Sequence, residues 1–143
     1  MTGAPMSDFI LPAPDAPGEE WGRLAVSIPG LRWAPGMLAR RVSVNGHTVS
    51  RVRLTARAVR LGMIPASGVP CPDDPATAGC LLALLGAGCL VRVLPRRGRP
   101  LCEIVIPGGM THDRRPHRIN GSNLGRACIA AAAAIGRWPG GVP

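Results

Sequence analysis

The chain contains no lysine and no tyrosine, and aromatic residues make up only 3% of its 143 positions. The missing rings mean that any hydrophobic core must be built from Leu, Val, Ile and Ala, although the 46% hydrophobic share is ordinary for a globular protein. The five cysteines, Cys71, Cys80, Cys89, Cys102 and Cys128, are odd in number and form no CxxC pair. That argues against a disulfide framework and for a reducing compartment, where a free thiol packs as a small apolar side chain. No long hydrophobic run exists either. The uncharged stretch from Pro75 to Val91 is broken by Gly79, Gly86 and Gly88, and its apolar part falls short of the roughly 20 residues a spanning helix needs. No secretory signal is visible, since the first basic residue is Arg23 and Pro5, Pro12, Pro14 and Pro17 interrupt any earlier apolar run. These absences point to a cytoplasmic protein with no membrane partner. No repeat of fixed period occurs, and neither GK[ST] nor GxGxxG accompanies Gly108-Gly109.

What the chain does have is arginine. All 17 strongly basic residues are arginines against 8 carboxylates, for a formal charge of +9. Such an excess suits phosphate or nucleic-acid partners. Arginine without lysine, beside 19 Gly and 16 Pro, is also the mark of GC-rich codon usage.

The length suits one domain. Residues 1–14, dominated by Pro and Ala, read as a flexible leader to a single α+β domain over 15–143. Asp15-Ala16-Pro17-Gly18-Glu19-Glu20 reads as a helix start, with Asp15 as capping carboxylate and the glutamates near the positive end of the dipole. Trp21, Leu24, Ala25 and Ile28 then recur at helical spacing until Pro29-Gly30. Arg41 to Val52 is a hairpin around Asn45-Gly46, a pair suited to a type I′ turn. Leu54 to Met63 is ambiguous between strand and short helix. Asp74-Pro75 opens a second helix running to Leu85. This helix is so apolar that it must lie between layers or at a subunit interface, with Leu81, Leu84 and Leu85 as interface candidates and homo-oligomerisation open. Cys89–Leu94 and Leu101–Ile106 form a second hairpin with a basic tip at Arg96, Arg97 and Arg99. A polar loop from Pro107 to Ser122 leads into a closing helix. There Leu124, Cys128, Ala131, Ile135 and Trp138 form one stripe, with Arg126 and Arg137 opposite as a solvated face. The order is helix, hairpin, helix, hairpin, helix. It implies a mainly antiparallel sheet from two hairpins with three helices packed on it.

Three segments, Trp21–Trp33, Asp74–Leu85 and Leu124–Ile135, together resemble small bacteriophage and prophage proteins of uncharacterised function, of the kind with a phage ABA-sandwich domain. In those proteins a first helix ends in a Gly-Trp-like turn, a second precedes a hairpin, and a third, Ala-rich helix follows a loop. Here Gly30-Leu31 stands where Gly-Trp is expected, and Arg40–Pro70 has no counterpart. The resemblance implies a fold and a phage context. It implies no catalytic residues.

The densest chemistry lies in Pro107–Ser122. His112, Arg114, Arg115, His117 and Arg118 are the candidate ligand-binding residues: guanidinium groups pair with oxyanions, and free amides at the following helix start favour anions. A solvated surface loop is the plain alternative. Arg96, Arg97 and Arg99 are candidate nucleic-acid contacts, although exposed arginine also protects sheet edges. Metal ligation by Cys102, His112 and His117 fits no standard zinc spacing, and a Cys102–His117 nucleophile would sit in an apolar strand. Glu19 and Glu20 suit the helix dipole better than acid–base work. The sequence therefore suggests no catalytic residue, cofactor or metal. It suggests a phage or prophage accessory protein that acts by binding a host or phage protein, such as a counter-defence factor. The alternative is nucleic-acid, nucleotide or anion binding through the Arg/His-rich loop.

Overall fold

The alanine-rich closing helix is the element around which the others are assembled. In the computed structural model, which describes residues 9–42, 49–64, 68–86, 88–94 and 101–141, the order of helices and strands is α1 (Gly18–Ser27), β1 (Leu38–Val42), β2 (Val49–Arg53), α2 (Ala56–Arg60), β3 (Val69–Pro70), α3 (Pro75–Leu85), β4 (Leu90–Leu94), β5 (Leu101–Ile106), β6 (His117–Gly121) and α4 (Leu124–Ile135). The protein is thus of the α+β class. Every residue of α4 from Gly125 to Ile135 is buried. A run of alanines makes this possible, because a helix with only Cβ atoms on most faces lets neighbours approach from all sides. Helices α1 and α3 and strands β5 and β6 all pack against it. Gly125 is part of that fit: a Cβ there would collide with the backbone of Pro72.

The strands form two separate three-stranded antiparallel sheets, β2-β1-β3 and β4-β5-β6, rather than one. Both hairpins expected from the sequence are present, with Val42 opposite Val49 and Leu94 opposite Leu101. Their connecting residues, Asn45-Gly46 and the tip with Arg96, Arg97 and Arg99, lie outside the described residues. Each sheet gains one strand that the pattern of side chains did not announce. Strand β3 is two residues long and contains Pro70, which an edge position tolerates. Strand β6 lies inside the expected polar loop. Its only large apolar residue, Ile119, faces Ile104 across the pair, so it carries too little alternation to be read as a strand.

Helix starts follow local chemistry, with one correction. Asp74 caps α3 by accepting from the Thr77 amide at 3.0 Å, with Pro75 in the first turn, as expected. At α1 the N-cap is Pro17, and no side chain caps it, so Asp15 does not do so. The ambiguous segment after β2 becomes α2, capped by Thr55.

The interior is aliphatic with two tryptophans as bolts. Trp138 is fully buried just past α4, its indole N–H donating to Ala25 O at 3.1 Å. Trp21 is buried too and donates to Ala13 O at 3.1 Å. Leu81, Leu84 and Leu85 are buried within the chain, where α3 packs on α4. The interface role expected for them gives way to packing in the protein's own core, since α4 and the turn at Pro139–Gly141 cover α3.

Arg126 is a further correction. It is not solvated: its residue is 8% exposed, and every nitrogen of its guanidinium is hydrogen-bonded. Nε and Nη2 bond the two carboxylate oxygens of Asp73 at 2.9 and 3.0 Å, and Nη1 donates to Ala16 O at 2.6 Å and Pro14 O at 2.9 Å. One arginine thus ties the chain before α1 to the segment before α3 and to α4. With Ser122 Oγ also donating to Pro14 O, the backbone around Ala13–Ala16 is held in place rather than loose.

Candidate anion-binding groove

Strand β6 and helix α4 together decide where the Arg/His-rich segment sits. Five extended residues carry the chain about 17 Å, and twelve helical residues bring it back about 18 Å. The tip of the segment therefore meets the C-terminal end of α4. A groove of about 590 Å³ lies at that junction, lined by the turn at Gly108–Met110, by Thr111, His112 and Arg114, and by Ile135 and Arg137 of the helix end. The sequence reading placed an anion at the N-terminus of α4. There Asn123 accepts from the Arg126 amide at 2.9 Å and donates to Asp73 at 2.6 Å, so part of that end is met from within the chain.

The loop that presents the groove is braced from within. The Asp113 carboxylate accepts from the Arg115 amide at 3.1 Å and lies 2.9 and 3.0 Å from Nε2 of His117. The contact with His117, helped by the Arg115 amide and the Thr111 hydroxyl, holds the Asp113 carboxyl down to about 2. Thr111 Oγ1 lies 2.8 Å from Arg115 O and 3.1 Å from both Gly108 O and Asp113 Oδ1, closing the turn. Arg114, at the apex, has φ 57°, the one left-handed non-glycine among the described residues. Its carbonyl packs against Gly108, where a Cβ would collide with it. The left-handed conformation costs a residue with a Cβ roughly 1–2 kcal/mol, and here it turns an arginine into a position beside the helix end.

Of the five residues singled out from the sequence, the structure brings His112 and Arg114 into the groove. His117 instead braces Asp113, and the exposed Arg115 and Arg118 lie outside the lining. Arg137, read from the sequence as part of a solvated helix face, is the residue that was missed. Only the return of α4 along β6 brings it beside Arg114, and no local motif signals that. The register also separates Cys102 from His117: Cys102 faces Gly121 and Ile106 faces His117, so the two side chains lie about 13 Å apart along the strands. They cannot share a metal or a proton.

Electrostatically the groove is one-sided. Arg114 and Arg137 are exposed, and among the described residues no carboxylate lines the groove. The carbonyl end of α4 contributes a partial negative pole of about half a charge, but the Ala132 carbonyl is taken by the amides of Gly136 and Arg137 at 2.8 and 3.2 Å. Two whole positive charges outweigh that pole. Two guanidinium forks are suited to oxygen atoms of phosphate or carboxylate groups. The chain matches no family model, no curated protein and no solved structure.

Proposed function

We propose that this is a binding protein whose ligand carries phosphate groups, a nucleotide or a nucleic-acid strand, engaged at the groove between the Arg/His loop and the end of α4. The observation that carries the reading is that Arg114 and Arg137 line one groove with no carboxylate among its described lining residues, one of them held there by strained backbone. Strained non-glycine residues cluster where structure serves binding. The overall charge of +9 would add long-range attraction for such a partner. The test is fluorescence anisotropy with a labelled single-stranded oligonucleotide, alongside thermal shift with nucleotides. Affinity should fall steeply with added salt as counterions are released. No binding at low salt and no thermal shift with any nucleotide would end the proposal.

A second reading, the phage-encoded factor that binds a host or phage protein, keeps the support of the resemblance of α1, α3 and α4. Its apolar surface must then lie elsewhere than α3. Val93 on edge strand β4 is 63% exposed and supplies an apolar position there. Exposed apolar edge strands are pairing sites. If this reading holds, Val93→Glu abolishes the capture of a specific partner from host lysate. A partner retained undiminished by that variant, or no partner at all, counts against it.

A further inference from the structure

The first sheet holds a second cluster of arginines at a cavity well apart in sequence from the groove. Arg40 of β1 and Arg51 of β2 are directly opposite in the antiparallel register. Directly paired residues share one face with Cβ atoms about 5 Å apart, and like charges so placed repel. Both line a cavity of about 300 Å³, together with Cys71 and with Gly18 and Glu19 at the start of α1.

The cavity also has carboxylates in its wall, and what they bind decides its character. Asp73 is taken by Arg126 and Asn123. Asp74 is taken by both ends of the Arg53 fork at 2.9 Å and by Thr77. Glu19 is bonded to Arg23 at 2.6 Å and reaches Arg40 only at 3.7 Å. Arg40 Nε is buried with no hydrogen-bond partner, and Arg51 forms no ion pair among the described residues. The Arg40 Nε has almost no exposed surface, so a ligand in the cavity would meet the outer nitrogens of Arg40 beside the exposed Arg51.

From this arrangement we infer that the cavity between Arg40, Arg51 and Cys71 is a binding site for a single phosphate group, bridged by the two guanidiniums. The shared chemistry is a tetrahedral oxyanion; it comes either as inorganic phosphate or as the phosphate of a small monoester. The site shares no lining residue with the proposed groove.

Cys71 is the reporter. It is half-buried, and burial raises its thiol above the usual range while Arg51 and Arg40 pull it back down. A bound phosphate removes that pull and covers the sulfur. The experiment is iodoacetamide labelling of the intact chain, with modification at Cys71 quantified by peptide mass mapping, in the presence of inorganic phosphate or glycerol 3-phosphate at constant ionic strength. The expected result is that at least one probe slows Cys71 labelling about fivefold or more, because thiolate reactivity follows its electrostatic setting and access. Protection by inorganic phosphate identifies the free ion as sufficient; protection by glycerol 3-phosphate alone identifies a monoester. Arg51 is exposed, so Arg51→Gln leaves the core intact and should abolish protection, whereas the groove variant Arg114→Gly/Arg137→Ala should keep it. Labelling unaffected by either probe, or protection that survives Arg51→Gln, overturns the site.

Discussion

The two ends of α4 carry the same chemical group in opposite employment. At the N-terminal end Arg126 is buried and spends its donors on Asp73, Pro14 O and Ala16 O. At the C-terminal end Arg137 is exposed and faces Arg114 and His112 across an open groove. The difference is not in the residue type. It lies in what the neighbouring segments bring: a carboxylate and two carbonyls at one end, and at the other a strained turn with no carboxylate among the described residues that line the groove. Arginine in this protein is a structural tie where acceptors converge on it, and a candidate ligand contact where they do not.

The comparison predicts that damage to the first end is felt in stability and damage to the second in binding. The largest effect is expected from Gly125→Ala, whose methyl would strike the Pro72 backbone; a loss of about 3 kcal/mol or more is expected in chemical denaturation, since backbone must shift to admit it. Arg126→Ala follows, at about 2–3 kcal/mol, kept to that range because Asp73 is itself about half exposed. At the other end, Arg114→Gly relieves a left-handed strain of about 1 kcal/mol but adds unfolded-chain entropy of similar size. The variant Arg114→Gly/Arg137→Ala should therefore stay within about 0.5 kcal/mol of the parent while binding weakens.

Acid titration sharpens the same contrast. Hydrogen bonds from Arg126 and Asn123 lower the pKa of Asp73, and the Arg53 fork and Thr77 hold Asp74 far below the carboxylate range. Groups with depressed folded pKa values stabilise fully above their unfolded value, about 3.9, and lose that contribution as pH falls through the folded values. The parent should therefore lose stability progressively below about pH 4. Asp73→Asn should be less stable at neutral pH and lose less on acidification, so that the two curves converge. Parallel curves in urea denaturation at pH 7 and pH 3 would remove Asp73 from the account.

Much of the scaffold was legible because its signals are local. Asp74-Pro75 marks a helix start by capping and by proline's missing donor, and Trp21, Leu24, Ala25 and Ile28 mark a buried face by spacing alone. The flanks of Asn45-Gly46 pair as their β-branched pattern requires. The missed features are those that depend on partners distant in sequence. Strand β6 exists because β5 offers it a ladder, not because His117–Gly121 alternates. Arg126 is buried because Asp73, 53 positions away, and two carbonyls 110 and 112 away meet it. The groove inherits both errors: without β6 the return of α4 is invisible, and with it the meeting of Arg114 and Arg137. Half of the candidate site was therefore within reach of the sequence, as His112 and Arg114. The other half was a consequence of topology.

The central claim is that the arginines at the C-terminal end of α4 bind and do not hold the fold. The most direct test is anisotropy of a labelled single-stranded oligonucleotide against the parent and the Arg114→Gly/Arg137→Ala variant over a series of salt concentrations, on samples shown to have equal denaturation midpoints. The account predicts weaker binding by the variant and a log–log salt slope shallower by about 1.4, the release expected for two phosphate contacts on a single strand. Equal affinity and equal slope in the two proteins would contradict it.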